Sequence, residues 1–331
     1  MKDLVTMWRE PRMVVLTGVC AAVYAAAMIP FKALIIFPGL AEVRPAAVLP
    51  VVFSLMFGPA GAVGSGFGNV VGDMLGGMLG PGSIFGFLAN FAYGYVPYKL
   101  WEAWGGSRDM KEIESWNNRV PAWARSGRDI GLILAGAFAL SIALTYIGHL
   151  AGFYDLSKAI SWKEGEATVY AGFAISLLVY ALFVALLIVS VVLLLFSPKK
   201  LVAIILVASA ACGAVIGWGV DILGFLPFKV LGVWILVNNF AVSFILGPPL
   251  ILLLYPRVSG RFMLYTDLMG EREARPARER LGSVFVILGC VLVYAVGVFG
   301  GDAGFLVSNN LDMGFALSPF ILLLFVGLFL L

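Results

Sequence analysis

Long apolar runs separated by short polar connections dominate the pattern of this chain. A helix that crosses a membrane needs about 20 apolar residues, whereas the strands of an outer-membrane barrel show a weak alternation over about ten residues. No such alternation is visible here, so the pattern predicts spanning helices. We expect them at residues 13–31, 46–57, 60–79, 84–100, 130–153, 169–196, 201–220, 230–255, 284–299 and 314–331.

The second predicted span is short and is followed by the dipeptide Gly58-Pro59. A helix of this length reaches only about 18 Å, less than the roughly 30 Å hydrocarbon core of a bilayer. Pro50 also interrupts the run, and Gly-Pro pairs favour turns. We therefore expect two helices between residues 46 and 79, with tilt or unwound backbone helping the first.

The overall composition supports a membrane protein. Hydrophobic residues make up 61% of the chain and charged residues 12%, and the mean hydropathy is +1.00. Soluble domains carry about 25% charged residues. The predicted fold class is therefore an all-α integral membrane protein, a polytopic bundle of about ten spans.

The distribution of Lys and Arg predicts the orientation, because these residues accumulate in cytoplasmic loops. With ten spans, the segments on the inner side hold 17 of the 22 Lys and Arg residues and those on the outer side hold five. Both termini and the basic loops 101–129 and 259–281 are then cytoplasmic. A cleaved signal peptide is the alternative at the N-terminus, but the apolar run continues through Ile36.

The sequence offers little for catalysis or for a cofactor. His149 is the one histidine, and Cys20, Cys212 and Cys290 lie inside apolar runs, where a thiol usually acts as a small hydrophobe. No phosphate-binding GxxxxGK[ST] motif occurs, so the chain is not expected to hydrolyse ATP itself. We expect no enzyme activity, no metal site, no cofactor and no nucleic-acid partner.

Polar residues in a glycine- and proline-rich stretch, residues 42–101, are the first candidates for a binding site. Ionisable side chains and interrupted backbone inside apolar spans are typical of functional sites. The candidates in this half are Glu42, Arg44, Asn69, Asp73, Asn90 and Tyr93. Other interpretations remain open: hydrogen bonding between helices for Asn69 and Asp73, an exposed pair for Glu42 and Arg44, and an aromatic belt that includes Tyr93.

A second set of candidates lies in the other half of the chain. Amides beside aromatic rings in an apolar span suit a planar heterocycle. The candidates are Trp218, Asp221, Trp234, Asn238 and Asn239, with Asn239 the strongest. Residues 68–73 and 215–221 resemble each other faintly, and whether the halves are duplicated stays open.

Small residues recur at four-residue spacing in the first predicted span. They are Gly18, Ala22 and Ala26, with Ala21 and Ala25 beside them. Such spacing allows another helix to approach closely. The second helix belongs either to this chain or to a partner protein.

Several segments resemble the substrate-binding S component of energy-coupling factor vitamin transporters. They are the Ala-rich first span, the irregular connection after it, the phrase RPAAVLPVVFSLMFGPAGAVGSGFGNVVGD, and the phrase NNFAVSFILGPPLILLLYP. The resemblance implies a vitamin-like ligand bound near the outer surface of a prokaryotic inner membrane. It also implies a transmembrane coupling subunit that contacts Ala22 and Ala26, two ATPase subunits, a connection 42–44 that covers the site, and a ligand contact at Asn239.

Ten predicted spans exceed the six of that family. The predicted organisation is the first half of an S-component-like core (1–100), a basic loop (101–129), the remaining core with inserted spans (130–258), a second basic loop (259–281) and an extra helical pair (282–331). The leading hypothesis is a binding subunit energised by partner ATPases. The alternatives are an ion-coupled secondary transporter using Asp73 and Asp221, and an assembly subunit of a membrane complex that binds no ligand.

Overall fold

The computed structural model describes residues 2–29, 35–37, 41–42, 44–106, 110–121, 185, 187–270, 276–300 and 313–331. Its contacts divide the chain into two compact units: one formed by Met1–Ser115 with Pro198–Leu331, the other by Trp116–Ser197. The divisions after residues 115 and 197 fall inside the predicted segments 101–129 and 130–258. Residues 198–258 therefore belong to the same unit as the N-terminal half of the chain.

Helices make up almost all of the described residues of the larger unit. In chain order they are α1 (Lys2–Thr6), α2 (Pro11–Met28), α3 (Val48–Phe57), α4 (Pro59–Leu75), α5 (Gly82–Ala103), α6 (Lys111–Arg119, which runs into the second unit), α7 (Lys200–Ile222), α8 (Phe228–Ser259), α9 (Tyr265–Met269), α10 (Pro276–Phe299) and α11 (Met313–Leu330). Short 3-10 turns cover Met7–Arg9 and Pro45–Ala47. In the connection before Pro45, β1 (Ile35–Phe37) and β2 (Ala41–Glu42) form an antiparallel pair where the sequence predicts only irregular backbone.

Five of these helices are long and apolar enough to cross a membrane. They are Pro11–Met28, Lys200–Ile222, Phe228–Ser259, Ala277–Phe299 and Met313–Leu330. The chain is therefore a multi-pass membrane protein. Helices occupy eight of the ten predicted spans. The span predicted at 130–153 and most of the one at 169–196 lie outside the described residues, so the number ten stays a prediction.

The turn predicted at Gly58-Pro59 separates α3 from α4. Gly58 has a φ of 52°, in the left-handed region that glycine adopts more readily than other residues, and its N–H donates to Ser54 O at 2.8 Å. Pro59 then starts α4, where a missing N–H costs no helical hydrogen bond. The two predicted helices are thus confirmed, but α4 ends at Leu75, four residues before the predicted end.

Close helix contacts at glycine hold the unit together. A Cβ on Gly64 of α4 would lie 2.6 Å from Cys20 Cβ of α2, and one on Gly68 would lie 2.7 Å from Ala21 O. Similarly, a Cβ on Gly217 of α7 would lie 2.7 Å from the Cα of Gly232 in α8. The absence of side chains brings these backbones together, which increases van der Waals contact between helices.

In the smaller unit the structure describes residues 116–121, 185 and 187–197. The indole N–H of Trp116 donates to the backbone oxygen of Leu193 at 2.9 Å. Both side chains are buried. This contact joins the end of α6 to the helical residues 187–195.

Candidate functional site

A polar cavity of about 270 Å³ lies inside the larger unit. It is formed where the end of α4, the connection 76–81, the start of α5 and the end of α7 meet. Three predicted binding residues line it: Arg44, Asn69 and Asp73. The other lining residues are Met78, Gly80, Pro81, Gly82, Ser83, Gly86, Ile216, Val220 and Phe225.

A chain of hydrogen bonds runs from Asp73 into the helix bundle. Asp73 Oδ2 accepts from Asn69 Nδ2 at 3.1 Å and from Ser83 Oγ at 2.9 Å. Asn69 Oδ1 accepts from Asn90 Nδ2 at 3.1 Å, and Asn90 Oδ1 accepts from the Tyr24 hydroxyl at 2.7 Å. These partners hold each amide in one orientation, because a buried polar group without a partner is costly.

Helical spacing aligns the polar groups of the cavity. Asn69 and Asp73 stand four residues apart and so share one face of α4. Ser83, Gly86 and Asn90 share one face of α5 in the same way. A Cβ on Gly86 would lie 2.5 Å from Asn69 Nδ2, so a side chain there would displace the amide from its present position.

The end of α4 places the connection 76–81 over the cavity. Met78 N–H donates to Asp73 O at 2.8 Å, and Gly77 N–H donates to Met74 O at 3.3 Å. Gly77 has a φ of 69°. This is the Schellman arrangement, in which a left-handed glycine reverses the chain after a helix. The reversal brings Gly80 and Ser83 beside Asp73.

The cavity combines opposite charges with an apolar wall. Arg44 is the one cation and Asp73 the one anion among its lining residues, and Arg44 Nη1 donates to Asn69 Oδ1 at 3.4 Å. Ile216, Val220 and Phe225 provide the apolar side. Small-molecule sites commonly pair an apolar lining with a few fixed polar groups. Among the described residues no three His, Cys, Asp or Glu side chains gather to hold a metal ion.

The sequence-based interpretation missed Ser83 and Tyr24. Ser83 lies seven residues before Asn90, a spacing that puts both on one face of α5. That spacing could have identified it as a partner of the predicted residues. Tyr24 is 1% exposed in the middle of the Ala-rich first span, and a hydroxyl in such a position needs a hydrogen-bond partner.

Two predicted residues of the second half lie in contacts between helices. Asp221 Oδ2 accepts from the backbone N–H of Phe228 at 2.6 Å and so caps the first turn of α8. Trp218 Nε1 donates to Ser318 Oγ at 3.1 Å, and its ring meets Phe85 edge-on at 5.5 Å. Neither residue lines the polar cavity.

Four further predicted residues lie on α5 and α8, and hydrogen bonds join three of them. The Tyr93 hydroxyl lies 2.6 Å from Ser243 Oγ and donates to the backbone oxygen of Asn239 at 3.1 Å. Asn238 Nδ2 donates to Asn239 Oδ1 at 3.4 Å. Trp234 Nε1 is buried and finds no hydrogen-bond partner among the described residues. None of the four lines the polar cavity. The remaining predicted binding residue is Glu42, and its side chain lies outside what the structure describes.

The small residues of α2 divide between two faces. Ala25 is 2% exposed and Ala21 is half-buried, and both face the rest of the bundle. Gly18, Ala22 and Ala26 are exposed, and a Cβ on Gly18 would meet nothing within 4 Å. Of the predicted partner contacts, these three remain accessible to a second protein.

Comparisons of the chain with protein-family models, with curated proteins and with solved structures found no match.

Proposed function

We propose that this chain is the membrane-embedded binding subunit for the uptake of a vitamin or vitamin-like small molecule. The observation that carries the proposal is the cavity of about 270 Å³, in which Arg44, Asn69 and Asp73 converge on one space. Its volume is close to the lower end of the roughly 300–1,000 Å³ that small-molecule sites occupy. The ligand is therefore compact.

The polar groups of the cavity bind and orient this ligand. Arg44 offers several N–H donors in a rigid fork, and Asp73 and Asn69 offer oxygen acceptors. Their hydrogen bonds to one another arrange them before the ligand enters, which reduces the ordering cost of binding. The apolar wall of Ile216 and Val220 contacts the rest of the molecule.

Transport is energised by partner proteins. The exposed ridge of Gly18, Ala22 and Ala26 supports docking of a helix from a transmembrane coupling subunit, which in turn binds ATPase subunits. The resemblance of the Ala-rich first span to S components supports the same assignment. In this proposal the chain resides in the inner membrane of a prokaryote, with both termini in the cytoplasm and the cavity towards the outside.

Mass spectrometry of the chain, gently purified from its native membrane, tests both parts of the proposal. We expect a retained small molecule together with coupling and ATPase subunits. A chain that carries neither would refute the proposed function. A bound molecule without partner subunits would refute the assignment of the energy source.

A charge-matched pair of variants then tests the site. Arg44→Gln should weaken binding of the identified molecule about tenfold or more, since a hydrogen bond to a charged group contributes roughly 1.5–3 kcal/mol. Lys229→Gln removes the same charge from an exposed residue outside the cavity and should leave affinity unchanged. An equal loss of affinity in both variants would show that the overall charge of the protein, and not the cavity, determines binding.

Ion-coupled secondary transport is the second candidate. The observation that favours it is Asp73, a carboxylate 8% exposed at a cavity inside a membrane protein. It predicts uptake by this chain alone in liposomes, abolished when the ion gradient is collapsed. Asp221, the other proposed ion site, caps α8 and gives this alternative less support.

A further inference from the structure

An apolar groove of about 310 Å³ adjoins the polar cavity. The side chains that line it are Val70, Leu79, Ile84, Phe87 and Leu88. Leu79 is 57% exposed and Ile84 is 64% exposed, so the groove opens on the surface of the helix bundle. Another of the lining residues, Phe87, also makes an edge-on ring contact with Phe67 at 5.1 Å.

The groove and the polar cavity share two residues, Gly80 and Ser83. Ser83 Oγ points to the polar side, where it donates to Asp73. Gly80 has no side chain, and a Cβ placed there would meet nothing within 4 Å. The two spaces therefore adjoin at these two residues.

We propose that the substrate is an amphipathic carboxylate whose head binds in the polar cavity and whose short apolar tail lies in the groove. This inference rests on the proposed function. The guanidinium fork of Arg44 matches a carboxylate. Asp73 is the one anion among the lining residues and repels a second carboxylate, so the carboxylate of the substrate is placed at Arg44, the one cation.

The length of the groove limits the tail. From Ile84 to Leu88, α5 advances by about 6 Å at 1.5 Å per residue. A lipid chain spans half of a roughly 30 Å core, about 15 Å. The groove therefore suits a short solute tail of about five to six carbons and not a whole lipid chain.

A series of straight-chain carboxylates tests the proposal on the full chain in nanodiscs. Affinity is measured calorimetrically from acetate to octanoate, with empty nanodiscs of the same lipid as the reference for partitioning. Each methylene from propanoate to about hexanoate should tighten binding about fourfold, because burying one methylene contributes a constant increment. Beyond that length the gain should stop. A gain that continues to octanoate, or no gain at all, overturns the proposal.

Two variants and a second head group sharpen the test. Gly80→Leu adds a side chain at a residue that lines both spaces and should remove the gain in affinity with chain length. Gly18→Leu adds the same side chain at an equally open site on α2 and should leave that gain unchanged. Hexylamine should not compete with hexanoate. An unchanged series in Gly80→Leu, or tighter binding of the amine, overturns the proposal.

Failure of this inference can be told from failure of the proposed function. If a small molecule co-purifies with the chain and the carboxylate series does not bind, the binding function stands and the amphipathic carboxylate is wrong. If neither the co-purified molecule nor the series is found, both proposals are wrong.

Discussion

The ends of α4 and α7 have the same backbone arrangement but different side chains at the cavity. After α4, Gly77 adopts a φ of 69°, and after α7, Gly224 adopts a φ of 70°. In the second case Phe225 N–H donates to Val220 O at 3.1 Å and Gly224 N–H donates to Asp221 O at 2.8 Å. Both helices thus end in a Schellman motif.

Aligning the two motifs by their hydrogen bonds pairs Asp73 with Val220. The residues four positions earlier are then Asn69 and Ile216. All four line the polar cavity, two from each helix. One helix provides its polar groups and the other its apolar wall.

Asp221 lies one position beyond the residue that corresponds to Asp73. One residue rotates a side chain by about 100° around a helix of 3.6 residues per turn. Asp221 consequently faces the start of α8, where it accepts from Phe228 N–H. Two aspartates in similar local sequence thus have different roles because their distance from the helix end differs by one residue.

The largest effect is expected for Asp221→Ala. The change removes the carboxylate that accepts from the first N–H of α8, so the free energy of unfolding should fall by about 2–3 kcal/mol. Unfolding in SDS measures this loss. Asp221→Asn keeps an acceptor oxygen and should recover most of it. If Asp221→Ala instead abolished ligand binding in a stable protein, the assignment of Asp221 as a cap would be wrong.

A smaller effect, on binding, is expected for Asp73→Asn. The amide keeps one acceptor for Ser83 but removes the negative charge, so affinity for the co-purified molecule should change at least about tenfold. The free energy of unfolding should change by only about 1 kcal/mol. Equilibrium dialysis and SDS unfolding measure the two quantities. A stability loss as large as that of Asp221→Ala, with affinity unchanged, would remove the distinction between the two aspartates.

The smallest effect is expected from alanine at the two left-handed glycines. Gly77→Ala and Gly224→Ala should each lower the free energy of unfolding by about 1 kcal/mol, because neither Cβ meets an atom within 4 Å and only the backbone conformation is penalised. Thermal unfolding of the two variants measures the comparison. Clearly unequal losses would show that the two helix ends are not equivalent.

Local sequence was sufficient to predict that Asn69 and Asp73 lie side by side on one helix face. Both lie on α4, and a spacing of four residues fixes their common face. It was also sufficient for the break at Gly58-Pro59, since proline and left-handed glycine act on the backbone where they stand. The end of α4 was less predictable, because Leu79 continues the apolar run after the helix has ended at Leu75.

For residues on different helices, the sequence did not predict the hydrogen-bond partners. Asn90 was predicted as a ligand contact, and in the structure it donates to Asn69 and accepts from Tyr24. Asn239 was the strongest candidate for a ligand contact in its half of the chain, and its backbone oxygen accepts a hydrogen bond from the Tyr93 hydroxyl. Both are amides in apolar spans. The hydrogen bonds of such an amide form equally well with a ligand or with another helix.

The sequence by itself determined the membrane-spanning character, most helix positions and the polar residues that need partners, because hydropathy, proline, glycine and helical spacing act locally. Only the tertiary structure decided which partners these residues have. It placed Arg44 and Ser83 in one cavity with Asp73, turned Asp221 towards α8 and set an apolar groove beside that cavity at Gly80 and Ser83. The physical reason is that a side chain's neighbours depend on rotation about the helix axis and on the packing of helices distant in sequence.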